Sequence, residues 1–217
     1  MHGYRLFWQE FRRTFHSTGA VLPSGRSLCR ALASQVVPCG RPRRILEVGP
    51  GTGVVTDAVV ARMGPQDTLD LVELNDRFAE ALRVRQQREA AWQDLGARLR
   101  IHHQAVEDHV AAEPYETLVS GLPLNNFAAE AVESIFGKLR ELADEGATLS
   151  FFEYVGIRRI KSLAVSRRER QRLAGVQQAM ERACAAWEFK RQMIAANVPP
   201  AWVHHLRFDA APDAARR

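Results

Sequence analysis

Ile45-Leu46-Glu47-Val48-Gly49-Pro50-Gly51-Thr52-Gly53 is the stretch of sequence that decides the fold. Its apolar start is typical of a buried strand, and its three alternating glycines let the backbone turn sharply and approach a ligand without a Cβ in the way. Apolar residues at helical spacing follow over residues 54–63. The stretch therefore predicts a strand, a tight ligand-binding turn and a helix.

The same alternation repeats along the chain on the C-terminal side of this stretch. Further strands are predicted at residues 68–74, 99–103, 117–120 and 148–154. The patterns at residues 75–92, 128–142 and 166–187 predict helices, and residues 189–196 and 202–208 predict a closing antiparallel strand pair. Strands that alternate with helices indicate an α/β fold with a mostly parallel, doubly wound, seven-stranded sheet.

The length of 217 residues suits one hydrophobic core, so we expect residues 1–217 to form a single domain. Residues 1–40 precede the first strand and carry helical patterns at 4–16 and 23–37, which predict an N-terminal helical cover. Residues 41–217 form the predicted core, which includes a basic helical insertion at about 158–190.

The net charge of +5 comes from one part of the chain. Residues 158–191 contain ten Lys and Arg but only three Glu, so the remainder is slightly acidic. A solvated helix face explains part of this excess, but concentrated basicity is also typical of a surface that binds lipid phosphates or RNA.

Composition also bears on location and metal binding. The chain has no run of about 18 apolar residues and no signal-peptide pattern, so we expect a cytoplasmic protein with only peripheral contact to the inner face of the cell membrane. The three cysteines lack zinc-ligand spacing and are expected to be small buried residues in a reducing compartment. Neighbouring histidines at 102–103 and 204–205 should point to opposite strand faces, so no metal is predicted.

Two carboxylates flank the glycines in a pattern that favours a particular cofactor chemistry. Glu73 ends the second predicted strand about 20 residues further on, where a carboxylate can accept hydrogen bonds from ribose hydroxyls. Glu47 stands ahead of the glycines, where it would repel a pyrophosphate but suits a cofactor that carries a sulfonium and an amino group. A nucleoside cofactor is therefore favoured over a dinucleotide.

This Glu-x-Gly-x-Gly-x-Gly segment, with an acidic residue closing strand 2, resembles the class I methyltransferases, which have a Rossmann-like fold and use S-adenosylmethionine. The resemblance implies that the glycines line the methionine and ribose of the cofactor, that Glu73 holds the ribose hydroxyls, and that Ala105 and Val106 lie beside the adenine. Gln104 stands where family members often have Asp. The predicted cofactor-binding residues are Glu47, Gly49, Gly51, Thr52, Gly53, Glu73, Leu74, Ala105, Val106 and Ser120.

The segment after the fourth predicted strand bears on the methyl acceptor. Ribosomal RNA adenine dimethyltransferases carry Asn-Leu-Pro-aromatic here, whereas this chain has Ser120-Gly121-Leu122-Pro123 and no following aromatic residue. Combined with the first motif, three further segments resemble the small bacterial phospholipid N-methyltransferases, which convert phosphatidylethanolamine to phosphatidylcholine: Thr18-Gly19-Ala20-Val21-Leu22-Pro23-Ser24, Ser120-Gly121-Leu122-Pro123 and Asn197-Val198-Pro199-Pro200-Ala201. Residues 156–187 are longer and more basic than is typical of that family.

Three alternatives remain open at this point. A related bacterial group methylates the amine of ornithine lipids. RNA adenine N6-methylation is a second enzymatic function, which Ser120 in place of Asn disfavours. The third is an inactive cofactor-binding protein that attaches to membranes or RNA through its basic segment.

The N-terminal pattern favours a lipid substrate independently of the resemblance. On a helix, one arc would hold the aromatic side chains Tyr4, Phe7, Trp8, Phe11 and Phe15, and the opposite side would hold Arg5, Arg12 and Arg13. This arrangement is typical of a helix in the membrane interface that is attracted to anionic lipid, although such rings also pack on a protein's own core.

Candidate catalytic residues follow from where the acceptor amine should sit. Methyl transfer needs a neutral amine lone pair in line with the S-methyl bond, and a nearby polar group to take the proton. Candidates at the predicted mouth of the site are Ser120, Glu153, Tyr154 and His16. Tyr154 is the preferred headgroup contact because its ring can face a methylated ammonium.

Overall fold

The computed structural model describes residues 25–155 and 167–209. One seven-stranded sheet forms the centre of this part of the chain. Its strands are β1 Arg44–Val48, β2 Thr68–Glu73, β3 Leu99–His103, β4 Tyr115–Ser120, β5 Ala143–Tyr154, β6 Glu188–Ile194 and β7 Ala201–Phe208. The order is β3-β2-β1-β4-β5-β7-β6, in which β7 runs antiparallel to both of its neighbours and the other pairs are parallel.

Helices cover both faces of the sheet. They are α1 Arg26–Leu32, α2 Val54–Val60, α3 Asp76–Arg88, α4 Ala90–Gln93, α5 Ala129–Leu142 and α6 Arg167–Trp187. The start of α3 shows why a helix begins where it does, because the Asn75 side chain accepts hydrogen bonds from the backbone N–H groups of Arg77 and Phe78. Short 3₁₀ turns complete several of the connections.

The sheet separates two hydrophobic clusters. On one face, Leu46 of β1 and Phe151 of β5 pack with apolar residues of α5 and α6. On the other face, Ile45 of β1 and Phe152 of β5 pack with apolar residues of α1 and α2. Adjacent strand residues serve opposite clusters, which is the arrangement expected of a sheet buried on both sides.

The predicted fold class is confirmed, including the antiparallel closing pair. Several element boundaries differ from the prediction, and two of the differences change the description of an element. The predicted helix at 75–92 is divided at Glu89, whose backbone is extended (φ −97°, ψ 120°). The fifth strand begins at Ala143 rather than at 148, because Ala143 pairs with Tyr115 ahead of an irregularity in the register.

Part of the predicted N-terminal cover lies within the described residues. The pattern at 23–37 corresponds to α1 and a following 3₁₀ turn at Ala33–Gln35. The predicted helix at 4–16 lies outside the described residues, so its role stays a prediction. No helix in the described ranges is long and apolar enough to cross a membrane.

Candidate active site

The glycine-rich turn after β1 has the backbone geometry that its sequence predicts. Gly49, Gly51 and Gly53 have φ values of 66°, 57° and 83°, in the left-handed region that favours glycine. The turn is held by hydrogen bonds from Gly49 N to the Val72 carbonyl oxygen (2.9 Å) and from Gly53 N to the Pro50 carbonyl oxygen (2.9 Å). A Cβ on Gly51 would meet no described atom within 4 Å, so a ligand can approach the backbone there.

The loop after β4 touches this turn closely. A Cβ on Gly121 would lie 2.5 Å from the Gly49 carbonyl oxygen, and one on Gly49 would lie 2.4 Å from Leu122 Cδ2. Ser120, which is buried, pairs with Val48 in the sheet, and its hydroxyl accepts a long hydrogen bond from Leu122 N (3.4 Å). The predicted cofactor segment and the predicted acceptor segment are therefore in direct contact.

Glu73 lies at the end of β2 beside the glycine turn. Its carboxylate accepts hydrogen bonds from Gly51 N (3.0 Å) and Asn75 N (2.8 Å), one on each oxygen. Burial raises the pKa of Glu73, and these backbone hydrogen bonds partly oppose the increase. Because each carboxylate oxygen can accept more than one hydrogen bond, Glu73 can hold the turn and still accept from ribose hydroxyls.

Glu47 is fully buried, and neither of its carboxylate oxygens has a hydrogen-bond partner among the described residues. The nearby Thr56 hydroxyl favours the ionised form of Glu47, but the two groups are not in hydrogen-bond geometry. Burial raises the pKa of Glu47 to about 8. A buried, unpartnered carboxyl group is costly unless a ligand completes its environment, and a cationic ligand would do so. The buried carboxyl group of Glu47 and the open space beside Gly51 therefore fit the S-adenosylmethionine predicted from the sequence.

The remaining predicted cofactor residues differ in exposure. Ala105 and Leu74 are half-buried and Thr52 is exposed, whereas the Val106 side chain is buried in the core. Gln104 N donates to the Glu73 carbonyl oxygen (3.1 Å), which places the segment after β3 next to Glu73. Of the two residues predicted to lie beside adenine, Ala105 offers the more accessible side chain.

Glu153 and Tyr154 end β5 and point to opposite faces of the sheet. Glu153 is buried on the α6 side, where Oε2 lies 3.8 Å from Nε2 of His204. Tyr154 is half-buried on the other side, with its ring centroid 4.9 Å from that of Phe152. A cavity of about 280 Å³, bounded by α6, β6 and β7, opens at this end of β5 and includes both residues in its lining. His16 lies outside the described residues.

The same cavity contains residues that the sequence analysis did not select. Cys184, Glu188 and His204 lie together in its lining. His204 and His205 point to opposite faces, as predicted, since His204 stacks on Phe151 and His205 bonds Ser150. The expectation that all cysteines are buried was wrong for Cys39, which is exposed, and Cys184 is half-buried.

Comparisons with known proteins agree with the fold. No protein-family model matches the chain. A curated relative is the ornithine lipid N-methyltransferase of Singulisphaera acidiphila, which is 25% identical over 150 residues, covering 69% of this chain and 77% of that protein.

Solved methyltransferase structures share the architecture at low sequence identity. The N-methyltransferase NodS from Bradyrhizobium japonicum aligns over 85% of this chain and 94% of its own, with a TM-score of 0.57 and 14% identity. The glycopeptide N-methyltransferase MtfA, complexed with sinefungin, aligns over 86% of this chain and 87% of its own, with a TM-score of 0.63 and 13% identity. The chain has the Rossmann-like fold of these methyltransferases.

Proposed function

We propose that this chain is an S-adenosylmethionine-dependent N-methyltransferase that methylates the headgroup amine of a membrane aminolipid. Phosphatidylethanolamine, converted to phosphatidylcholine, is the acceptor that the sequence resemblance implies. Ornithine lipid is a second candidate, which the curated relative favours because that protein is named as an ornithine lipid N-methyltransferase.

The observation that carries the proposal is the buried, unpartnered carboxyl group of Glu47 beside the open glycine turn. Together with Glu73 at the end of β2, it offers sites for an amino group and for ribose hydroxyls on the same edge of the sheet. Solved structures with this fold are described as complexes with S-adenosylmethionine, its demethylated product or sinefungin. When bound, S-adenosylmethionine supplies an electrophilic methyl group.

The chain's own residues would bind and orient the reactants. Glu47 and Glu73 hold the cofactor, while the contact between Gly49 and Gly121 sets the distance from the cofactor segment to the loop after β4. Ser120 and Tyr154 end neighbouring strands and are proposed to face the acceptor. Burying the headgroup amine favours its neutral form, which carries the lone pair that attacks the methyl group.

Glu153 is the proposed proton acceptor among the predicted residues, because it is a carboxylate at the end of β5 and lines the cavity. Tyr154 is proposed to contact the ammonium that forms as methyl groups are added. Attachment to the cytoplasmic membrane surface is part of the proposal and rests on the basic residues of α6 and on the N-terminal sequence pattern.

Parallel labelling of lipids and RNA tests the proposed acceptor. Purified protein with radiolabelled S-adenosylmethionine is offered vesicles containing phosphatidylethanolamine, vesicles containing ornithine lipid, and ribosomal RNA. We expect label in one of the aminolipids and none in RNA. Label in RNA alone would support adenine methylation instead, and label in none, with the cofactor bound, would support an inactive binding protein.

A further inference from the structure

Three potential metal ligands converge where the end of α6 meets β7. Cys184 lies on α6, Glu188 begins β6 four residues later, and His204 projects from β7. One ligand atom from each of these residues lies within 4.8 Å of the others. Nothing in the proposed methyl transfer requires a thiol and an imidazole at this position.

The distances around His204 Nδ1 approach those of a metal centre. Cys184 Sγ lies 3.6 Å from His204 Nδ1. Zinc bonds of about 2.3 Å to sulfur and about 2.0 Å to nitrogen, at a tetrahedral angle, separate the two atoms by about 3.6 Å. Glu188 Oε1 lies 2.5 Å from the same nitrogen, which is too close for two ligands of one zinc ion. The carboxylate oxygen would have to move away from His204 Nδ1 by somewhat less than about 1 Å. The Glu188 side chain is 22% exposed and has the rotamer freedom to do so.

The other ring nitrogen of His204 points to a supporting carboxylate. His204 is 6% exposed and its Nε2 has no hydrogen-bond partner among the described residues, while Glu153 Oε2 lies 3.8 Å away. Metal-bound histidines usually donate their second ring N–H to a carboxylate, which fixes the ring and strengthens the ligand. The stack of His204 on Phe151, with centroids 4.8 Å apart, holds the ring in the same orientation.

The cavity supplies an entry path and a remaining coordination position. It is about 280 Å³ in volume and reaches all three ligands. Among the described residues of its lining, three are glutamates, Glu153, Glu181 and Glu188, and one is a lysine or arginine, Arg191, which lies over the Trp202 ring at 4.7 Å. This excess of carboxylates attracts a cation, and the combination of thiolate, imidazole and carboxylate favours zinc over magnesium or calcium.

We propose that Cys184, Glu188 and His204 bind a zinc ion, with Glu153 hydrogen-bonded to His204 and one coordination position open to the cavity. Another cluster with suitable geometry, within the described part of the chain, is Asp70, His102 and His109. It is a weaker candidate because Arg100 and Tyr115 already bond both oxygens of Asp70 at 2.6 Å. The zinc proposal does not depend on the proposed methyl acceptor.

Metal analysis of the purified protein tests the proposal directly. The full chain is equilibrated with zinc, dialysed, and analysed for zinc per chain, and its zinc affinity is measured by competition with a chelator. We expect about one zinc per chain in the wild type, and at least a tenfold loss of affinity in Cys184→Ser and His204→Ala. Glu153→Gln, which changes the carboxylate beside His204 but none of the three ligands, should weaken zinc binding about 10–100-fold.

Matched variants separate this cluster from other thiols and histidines. Cys39→Ser removes an exposed thiol and His102→Gln removes a ligand of the second cluster, and both should keep the zinc. Cobalt should give a thiolate charge-transfer band that disappears in Cys184→Ser. If His204→Ala fails to fold by circular dichroism, the nearly isosteric Cys184→Ser carries the test. A wild type without zinc, or a folded Cys184→Ser that binds zinc as tightly as the wild type, would overturn the proposal.

Discussion

Glu47 combines complete burial with the absence of any hydrogen-bond partner for its carboxyl oxygens among the described residues. Its pKa of about 8 in the folded protein is higher than the 4.5 of an exposed glutamate. The folded state therefore retains a proton that the unfolded chain releases. The free energy of unfolding should decrease as the pH rises from about 4.5 to 8, by up to about 1.4 kcal/mol per pH unit from this group.

The first prediction is that Glu47→Gln removes this part of the pH dependence in the cofactor-free protein. Urea unfolding at several pH values measures it, and Glu80→Gln, the same change at an exposed position, should keep the wild-type slope. Glu47→Gln should also weaken binding of S-adenosylhomocysteine, because the amide cannot balance the ligand's ammonium. Equal slopes in the two variants would mean that Glu47 titrates normally.

The second prediction concerns Glu73, whose carboxylate accepts hydrogen bonds from Gly51 and Asn75 and is proposed to accept from the ribose. Glu73→Ala should weaken cofactor binding by about 1–3 kcal/mol, the range for hydrogen bonds to a charged group. Calorimetry measures the affinity. Glu73→Gln keeps some acceptor capacity and should fall between the wild type and Glu73→Ala. An unchanged affinity in folded Glu73→Ala would remove this residue from the site.

Residues near the glycine turn were predictable because their roles depend on local spacing. Glu73 ends β2 and Glu47 is the last residue but one of β1, and the carboxyl ends of neighbouring parallel strands meet at one edge of the sheet. His204 and Cys184 were not predictable in this way, because their proximity depends on how α6 packs across β7. No periodicity within either element indicates that packing.

At the scale of elements, hydrophobic periodicity was enough to predict which segments are strands and which are helices. The residues at which these elements begin and end depend also on how the strands pair. The start of β5 at Ala143 follows from its pairing with Tyr115, which is distant in sequence. Glu89 breaks the helical path although its neighbours are good helix formers, and the sequence pattern has no glycine or proline there to indicate a break.

The third prediction tests the contact between the loops that follow β1 and β4. Gly121→Ala would place a Cβ 2.5 Å from the Gly49 carbonyl oxygen, and a backbone atom cannot rotate away. The loops must separate, so we expect a loss of stability of about 1–3 kcal/mol and at least a tenfold weaker affinity for the cofactor. Denaturant unfolding and calorimetry measure both quantities.

Gly137→Ala is the matched control for this substitution. Gly137 lies in α5, and its added Cβ would meet no described atom within 4 Å. The change should stabilise the protein by about 0.5–1 kcal/mol because alanine favours the helix, and it should leave cofactor binding unchanged. If Gly121→Ala behaves like Gly137→Ala, the close contact does not control the site.

At the scale of the whole molecule, part of the positive charge is paired with groups of the chain itself. Arg172 bonds Glu169 and the Asn125 carbonyl oxygen, and Arg182 pairs with Glu133 at the surface. Three arginines at the start of α6 are also exposed: Arg167, Arg168 and Arg170. These three remain available to an anionic surface, where each basic residue contributes about 1 kcal/mol.

Membrane attachment was predicted from the sequence but depends on a segment outside the described residues. The aromatic residues predicted to enter the interface lie at positions 4–15, and the exposed arginines lie on α6. Binding through both features would combine apolar insertion with electrostatic attraction. It should therefore strengthen with anionic lipid content and weaken as salt shortens the Debye length.

The fourth prediction is that Phe7→Ser, Trp8→Ser and Phe11→Ser, combined in one variant, release the protein from vesicles. Sedimentation with vesicles of increasing anionic lipid content measures binding, and thermal unfolding of the same variant shows whether the fold persists. A variant that combines Arg167→Gln, Arg168→Gln and Arg170→Gln should bind more weakly and with a smaller salt dependence, because Arg5, Arg12 and Arg13 remain. If the same fraction of the aromatic variant and of the wild type sediments with vesicles, the rings do not insert into the membrane interface. If it unfolds, they pack on the protein's own core, and attachment through this segment is wrong.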